Sequence, residues 1–276
     1  MYHIFNTKKT IILDNIGPIT VCGYSRSNYK TGYLIQPFNI YLDCGVESPI
    51  PPNLICISHG HLDHISALYS LLINSSKCTV LLQDSIKNNI QNMLNSMSSL
   101  NSGKNITYHN WTPITTNHVR YTLNKNQIFS IYIYDLVHGV PCRAYGIKMI
   151  HNKLKEEYMN VEGKILKEIK KTISITNEIT VPIVLFISDT SFAGLSNLPF
   201  NEYNLVIMEC TFFDSSHYEE AMNRCHLHWD DVKTIVKKYP NIYFILGHFS
   251  MRYNDNYLHE INTKIQEEYS NVMLFI

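Results

Sequence analysis

Six consecutive residues, His59-Gly60-His61-Leu62-Asp63-His64, carry three imidazoles and one carboxylate. A histidine-rich surface turn is the bland account of such a stretch. The His-x-His-x-Asp-His spacing, directly after the apolar run NLICI, fits a metal site better, because imidazole nitrogens and carboxylate oxygens are the donors that borderline divalent cations take. Three further apolar runs end in groups of the same kind: YIYDLVHG at His138, IVLFISDT at Asp189 and YFILGHFS at His248. Loops at the ends of rigid strands are where a scaffold positions reactive groups. Taken singly, His138 or His248 reads as an ordinary core or surface histidine. Together, His59, His61, Asp63, His64, His138, Asp189 and His248 supply enough nitrogen and oxygen for two ions, with Asp189 able to bridge them. Imidazole suits Zn2+, and the carboxylates leave room for Mn2+ or Fe.

The chain that must position these groups has 276 residues, 45% of them hydrophobic and 17% charged, enough for a large core in one domain. Lys plus Arg and Asp plus Glu balance at 23 each, so net charge singles out no partner and leaves a local basic strip open. Seven irregularly spaced cysteines, an N-terminus (MYHIFNTKKTIILDN) without a long apolar core, and no run of membrane-spanning length point to an intracellular protein, cytoplasmic or nuclear.

TIILDNIGPITVCGYS, TGYLIQPFNIYLDCG, NLICISH and KCTVLL read as successive short strands, with a short helix in SALYSLLIN. From Asp84, a plausible cap, DSIKNNIQNMLNSM sets Ile86, Ile90, Met93, Leu94 and Met97 on one helical face, and the polar SSLNSGKN after it reads as a loop. IFSIYIYDLVHG adds β structure. After the mixed run HNKLKEEYMNVEGKILKEIKKTISITNEI come the strand VPIVLFISDT, then YNLVIMECTFF, WDDVKTIVKKY and NIYFILGHFSMRY as strand, helix and strand. Two β-rich halves, each with its own helices, predict stacked sheets with helices outside.

The HxHxDH cluster, the later lone histidine, the Asp-Thr after an apolar strand and the final histidine resemble the metallo-β-lactamase superfamily. More narrowly, ECTFFDSSHYEEAMNRCHLHW followed by ILGHFSMRY resembles ribonuclease Z, the tRNA 3′-end processing endonuclease, in its short plant-like form. The resemblance spans nearly the whole chain, from GYSRSNYKTGYLI through LVHGVPCRAYGI to the last motif. It implies an α+β, four-layer αβ/βα sandwich, with residues 1–276 as a single metallo-β-lactamase-fold domain. It assigns His59, His61 and His138 to one metal, Asp63, His64 and His248 to the other, and Asp189 to both, as two Zn2+ per subunit. Glu209 and His226 then act as a pair near the scissile phosphate, Asp63 also orients water, and Arg252 binds substrate phosphate. The activity implied is removal of the 3′ trailer from precursor tRNA by two-metal phosphodiester hydrolysis, in a homodimer with one subunit gripping tRNA while the other cuts.

The chain departs from the pattern in places. Ile65-Ser66-Ala67 stands where the family commonly has glycine, Ser-Asp-Thr replaces Gly-Asp-Thr, and HLHW replaces a His-Ser/Thr pair, so His228 competes with His226 until the motif position favours His226. The long Gly/Pro-rich arm that many ribonucleases Z carry after His138 is missing. In its place, around residues 150–180, stands KLKEEYMNVEGKILKEIKK, which reads either as a solvated helix face with pairs such as Glu168 near Lys164, or as a shortened arm whose Lys164, Lys167, Lys170 and Lys171 contact RNA phosphate. Two rival functions remain: another hydrolase of the superfamily, acting on a β-lactam, thioester or small phosphodiester, and a non-catalytic RNA-binding protein stabilised by metal.

Overall fold

The fold is described from a computed structural model covering residues 7–73, 75, 77–106, 108 and 110–276. Met1–Asn6, part of the stretch read for a leader, lie outside the described residues. Alternating apolar residues build two seven-stranded sheets. The first runs in sequence order through β1 (Thr7–Leu13), β2 (Gly17–Arg26), β3 (Lys30–Gln36), β4 (Ile40–Leu42), β5 (Leu54–Cys56), β6 (Thr79–Gln83) and β7 (Trp111–Ile114). The second holds β8 (His118–Asn124), β9 (Gln127–Leu136), β10 (Cys142–Leu154), β11 (Thr176–Ile187), β12 (Leu205–Glu209), β13 (Tyr243–Gly247) and β14 (Val272–Leu274). In each sheet the early pairs are antiparallel and the later ones parallel.

The period of two decides what each strand buries. In β12, Leu205 and Ile207 enter the core between the sheets, beside Tyr33, Ile35, Phe129 and Ile131, whereas Val206 and Met208 face the helices behind. Because both faces are covered, these strands read in sequence as unbroken apolar runs. The outer layers are helical. On the first sheet lie α1 (Leu62–Ile65), α2 (Leu68–Ile73) and α3 (Asp84–Ser102), whose Ile90 and Leu94 are buried and whose Ile86, Met93 and Met97 pack around them. On the second, α6 (Trp229–Lys238) buries Val232 and Val236 and α7 (Asp255–Glu268) buries Leu258 and Ile265. The remaining helices, α4 (Gly163–Ile169) and α5 (Tyr218–Asn223), lie in connections. The expected four-layer αβ/βα sandwich is what forms.

Some local expectations need correction. Asp84 does not cap α3: Gln83 takes the N-cap position, and Asp84 sits in the first turn, where its charge opposes the helix dipole. Gln83 makes no cap hydrogen bond, because its amide instead donates to the Ser58 and Pro141 carbonyls at 3.0 and 2.8 Å. Nor is SSLNSGKN all loop. Ser98 is buried, Ser102 bonds back to its carbonyl, and α3 stops only at Gly103, which takes the left-handed turn (φ 68°) that glycine adopts without a Cβ clash. In the mixed run, β10 and β11 stay paired out to Leu154 and Thr176, and α4 caps this hairpin with none of its side chains buried. There Glu168 pairs with Lys171 at 2.7 Å rather than with Lys164.

The His59–His64 loop is pressed against β3 and β4. Cys44 N–H donates to His64 O at 2.7 Å, and a Cβ built on Gly45 would stand 1.7 Å from Asp63 O. Both sides of that contact are backbone. Gly45→Ala should therefore cost about 1–3 kcal/mol in urea unfolding, as overpacking does, and should lower divalent-ion affinity by shifting Asp63 and His64; wild-type values for both would contradict this packing.

Candidate metal centre and catalytic pair

β11, β12 and β13 are adjacent and parallel, with Ile187 opposite Met208 and Glu209 opposite Gly247. Their C-terminal ends therefore deliver Asp189, Glu209 and His248 at one level. β5 of the facing sheet ends just before His59, and β9 just before His138.

Seven donors converge. Ligand atoms of His59, His61, His138 and Asp189 lie within 4.8 Å of one another, as do those of Asp63, His64 and His248. His59 Nε2 is 3.0 Å from His61 Nδ1, and His138 Nε2 is 3.5 Å from that same atom. His64 Nε2 is 3.3 Å from His248 Nε2 and 3.4 Å from Asp63 Oδ2. Nitrogens at the 2.0–2.1 Å of a zinc bond stand about 3.3 Å apart in a tetrahedron, so the separations suit an ion inside each group. Asp189 lies between the groups. Its Oδ2 is 3.7 and 3.8 Å from the Nε2 atoms of His59 and His138, and its Oδ1 is 3.4 Å from His248 Nε2. Oδ1 is buried without a hydrogen-bond donor. A buried carboxylate oxygen left unpaired is costly, and a cation answers it.

The tautomers point the same way. His64 Nδ1–H donates to Asp43 Oδ2 at 2.8 Å, His138 Nδ1–H to Cys225 O at 3.1 Å and His248 Nδ1–H to Thr211 Oγ1 at 3.0 Å. His59 Nδ1 meets Ser58 Oγ at 2.9 Å. With Nδ1 so engaged, each ring presents an Nε2 lone pair to the site. Asp43 is the hub, also accepting from Ser58 N–H at 2.7 Å, Ser58 Oγ at 2.8 Å and Ser188 Oγ at 3.2 Å. Burial, together with the neighbouring His64, holds His59 well below the usual imidazole range, so it stays neutral. Burial disfavours the charged forms of His64 and Asp189 too, but their mutual attraction, with Asp43 and His248, overrides it, leaving His64 high and Asp189 low; a cation at His64 Nε2 would stand in place of that proton.

Glu209, 2% exposed, is fixed from four sides. Its Oε1 accepts from Thr190 N–H at 2.7 Å and from His226 Nδ1 at 3.1 Å; its Oε2 accepts from Thr211 Oγ1 at 2.5 Å and Leu227 N–H at 3.1 Å. Burial works against charge on His226, but the Glu209 carboxylate prevails and raises it to about 9. His226 lies within 4.8 Å of Asp189 and His248 ligand atoms, and its Nδ1 is committed to Glu209. His228 faces elsewhere. It caps α6, accepting from Asp230 N–H at 3.1 Å while its Nε2 donates to Asp214 O at 3.0 Å.

A cavity of about 520 Å3 opens on these groups, lined among others by Tyr29, His61, Asp63, Arg224, His226 and His248. Arg252 is not in its lining. Its guanidinium is bidentate on Glu220 at 2.9 and 3.0 Å and stacks over Phe212. The four arm lysines, Lys164, Lys167, Lys170 and Lys171, are exposed on and just after α4 and do not line the cavity. The sequence reading passed over Asp43, Ser58, Ser188 and Thr211, although IYLDCG is a fifth apolar run ending in a carboxylate. No helix among the described residues is long and apolar enough to cross a membrane.

Solved structures place this architecture. The chain superposes on the metallo-β-lactamase fold protein YhfI of Bacillus subtilis with TM-score 0.56 at 18% identity, covering 91% of this chain and 92% of that one. On the short form of human tRNase Z the TM-score is 0.50 at 15% identity, covering 99% and 96%. The protein thus has the metallo-β-lactamase fold. No family model matches the sequence. Among curated proteins it is 26% identical to tRNase Z TRZ1 of Arabidopsis thaliana over 84% of this chain and 85% of that protein, and 26% identical to ribonuclease Z of Borrelia recurrentis over 91% and 89%. The resemblance to ribonuclease Z carried by ECTFFDSSHYEEAMNRCHLHW and ILGHFSMRY is borne out: these enzymes are its sequence relatives.

Substitutions separate the two halves of the site. By mass spectrometry of dialysed protein, Asp189→Ala should lose metal, whereas His226→Ala should keep the wild-type content; loss from His226→Ala would make that residue a ligand. Asp43→Asn, which removes the charge under His64, should weaken metal affinity about 10- to 100-fold in calorimetric titration.

Proposed function

We propose that this chain is an endoribonuclease that removes the 3′ trailer from precursor tRNA. The observation that carries it is the Glu209–His226 pair set beside a seven-donor metal site, in a chain whose relatives are named ribonuclease Z and tRNase Z. His59, His61, His138 and Asp189 hold one divalent ion, and Asp63, His64, His248 and Asp189 the other; the nitrogen-rich donor set favours zinc, with Mn2+ or Fe also accommodated. Such ions supply Lewis acidity and a water acidic enough to attack near neutral pH.

The protein groups do the remaining work. Asp63, whose Oδ2 accepts from Asn28 N–H at 2.9 Å, keeps its other oxygen to orient the attacking water. A ribose 3′-alkoxide is a poor leaving group and must be protonated as it departs. His226 donates that proton, and Glu209 holds the ring in place and offsets its charge. The products are a tRNA 3′-hydroxyl and a 5′-phosphorylated trailer. Residues 1–276 act as one domain, with the β10–β11 hairpin and α4 as a short arm whose lysines contact RNA phosphate. The working unit is a homodimer in a reducing, cytoplasmic setting, in keeping with seven free cysteines.

Incubating metal-loaded protein with end-labelled pre-tRNA tests this. Cleavage should fall at the start of the trailer with the ends just given, and His226→Ala should lower kcat about 10^2- to 10^4-fold at the same bond. A 2′,3′-cyclic phosphate, or wild-type turnover by His226→Ala, would overturn it. Replacing Lys164, Lys167 and Lys170 by Ala should weaken pre-tRNA binding and reduce its salt slope by about one per lost phosphate contact, with a smaller loss on bis(p-nitrophenyl) phosphate. Lys171, already paired with Glu168, should contribute least. An unchanged slope would leave these lysines as a solvated face.

A further inference from the structure

One carboxylate stands between two guanidiniums beside the cavity. Glu220 takes both terminal nitrogens of Arg252 at 2.9 and 3.0 Å, and its Oε1 is 3.1 Å from Arg224 Nε. The two arginines are thus held differently. Arg252 is committed: a bidentate fork and a stack over the Phe212 ring are the strong contacts a guanidinium makes. Arg224 meets Glu220 through Nε, and its two terminal nitrogens donate no hydrogen bond among the described residues. The three side chains together carry one net positive charge. Arg224 is also the one Lys or Arg among the described residues lining the cavity. It follows α5, two residues before His226, and its side chain is 66% exposed, which places it at the rim on the wall that carries the proton donor.

We propose that Arg224, rather than Arg252, grips substrate phosphate at this site, taking the phosphodiester next to the scissile one on the leaving-group side, while Arg252 occupies Glu220 and so keeps Arg224 available. The inference rests on the nuclease reading above and deepens it. A planar guanidinium with two free terminal donors meets two phosphate oxygens without surrendering a partner, whereas Arg252 must first leave a carboxylate. The scissile group itself belongs at the cavity floor, among the metal-site donors and His226. Arg252 is therefore a positioning residue: without it, Glu220 is released to neutralise Arg224.

That coupling gives the test. With a trailer-bearing pre-tRNA, Arg224→Ala should raise KM about 10-fold, with kcat changed less than threefold, and the salt slope of binding should fall by about one. The loss on bis(p-nitrophenyl) phosphate, which has a single phosphate, should be several-fold smaller. Arg252→Ala should also raise KM, and the double variant Arg252→Ala/Glu220→Gln should return to within threefold of wild type, because Arg224 is freed. Circular dichroism should match for all variants, since the three side chains lie near the surface. A wild-type KM for Arg224→Ala, or a double variant as weak as Arg252→Ala alone, would overturn the assignment and return the phosphate contact to Arg252. If the wild-type protein turned over bis(p-nitrophenyl) phosphate but not pre-tRNA, the tRNA reading would fail by itself. The same variants on the 5′-phosphorylated dinucleotide pUpU would then decide Arg224, with the same KM pattern supporting it and its absence refuting it.

Discussion

Asp189 is the group on which the rest of the site depends. A carboxylate 3% exposed, with one oxygen lacking any donor, is too costly to bury unless positive charge surrounds it. Its surroundings answer that cost from two directions, with His59 and His138 near one oxygen and His248 near the other. The position follows from topology. Asp189 follows the central strand β11; its parallel neighbour β12 ends in Glu209, and β13, parallel to β12 in turn, ends just before His248, so these groups arrive together when the sheet forms.

Precision then comes from hydrogen bonds behind the donors. Asp43, Ser58, Thr211 and the Cys225 carbonyl each take the far nitrogen of one imidazole, directly or through a shared network, and so choose which nitrogen faces inward. Backbone strain accompanies this. Asp43 (φ 54°), Cys225 (φ 55°) and His248 (φ 63°) all hold left-handed conformations that non-glycine residues rarely adopt. Each such residue costs on the order of 1–3 kcal/mol and persists only where its surroundings fix it. For His248 the surroundings are plain: its N–H is held by Ser25 Oγ at 2.8 Å, and the buried Arg26 guanidinium clamps the following loop at the Ser250 and Tyr253 carbonyls.

Much of this was legible in the sequence because the donors sit at the ends of apolar strands, where period and composition announce them. The seven donors and the layered sheets could be named from such runs, whereas the Glu209–His226 pair came only from the resemblance to ribonuclease Z. Features that depend on a distant partner could not. Whether His226 or His228 faces the cavity turns on a left-handed residue at Cys225 and on a cap made to Asp230. Arg252 sits in a motif that suggests phosphate, yet its partner is Glu220, 32 residues away in the chain. Asp84 looked like a cap because aspartate favours that position, but Gln83 was needed there to tie down the Ser58 carbonyl.

The fold alone does not choose a substrate. What the account requires is that Asp189 serve two ions at once. Anomalous diffraction from crystals grown with Zn2+ or Mn2+ tests that most directly. Two peaks per chain are expected, one among His59, His61 and His138 and the other among Asp63, His64 and His248, with Asp189 between them. A single peak, or one seated on His226, would contradict the account.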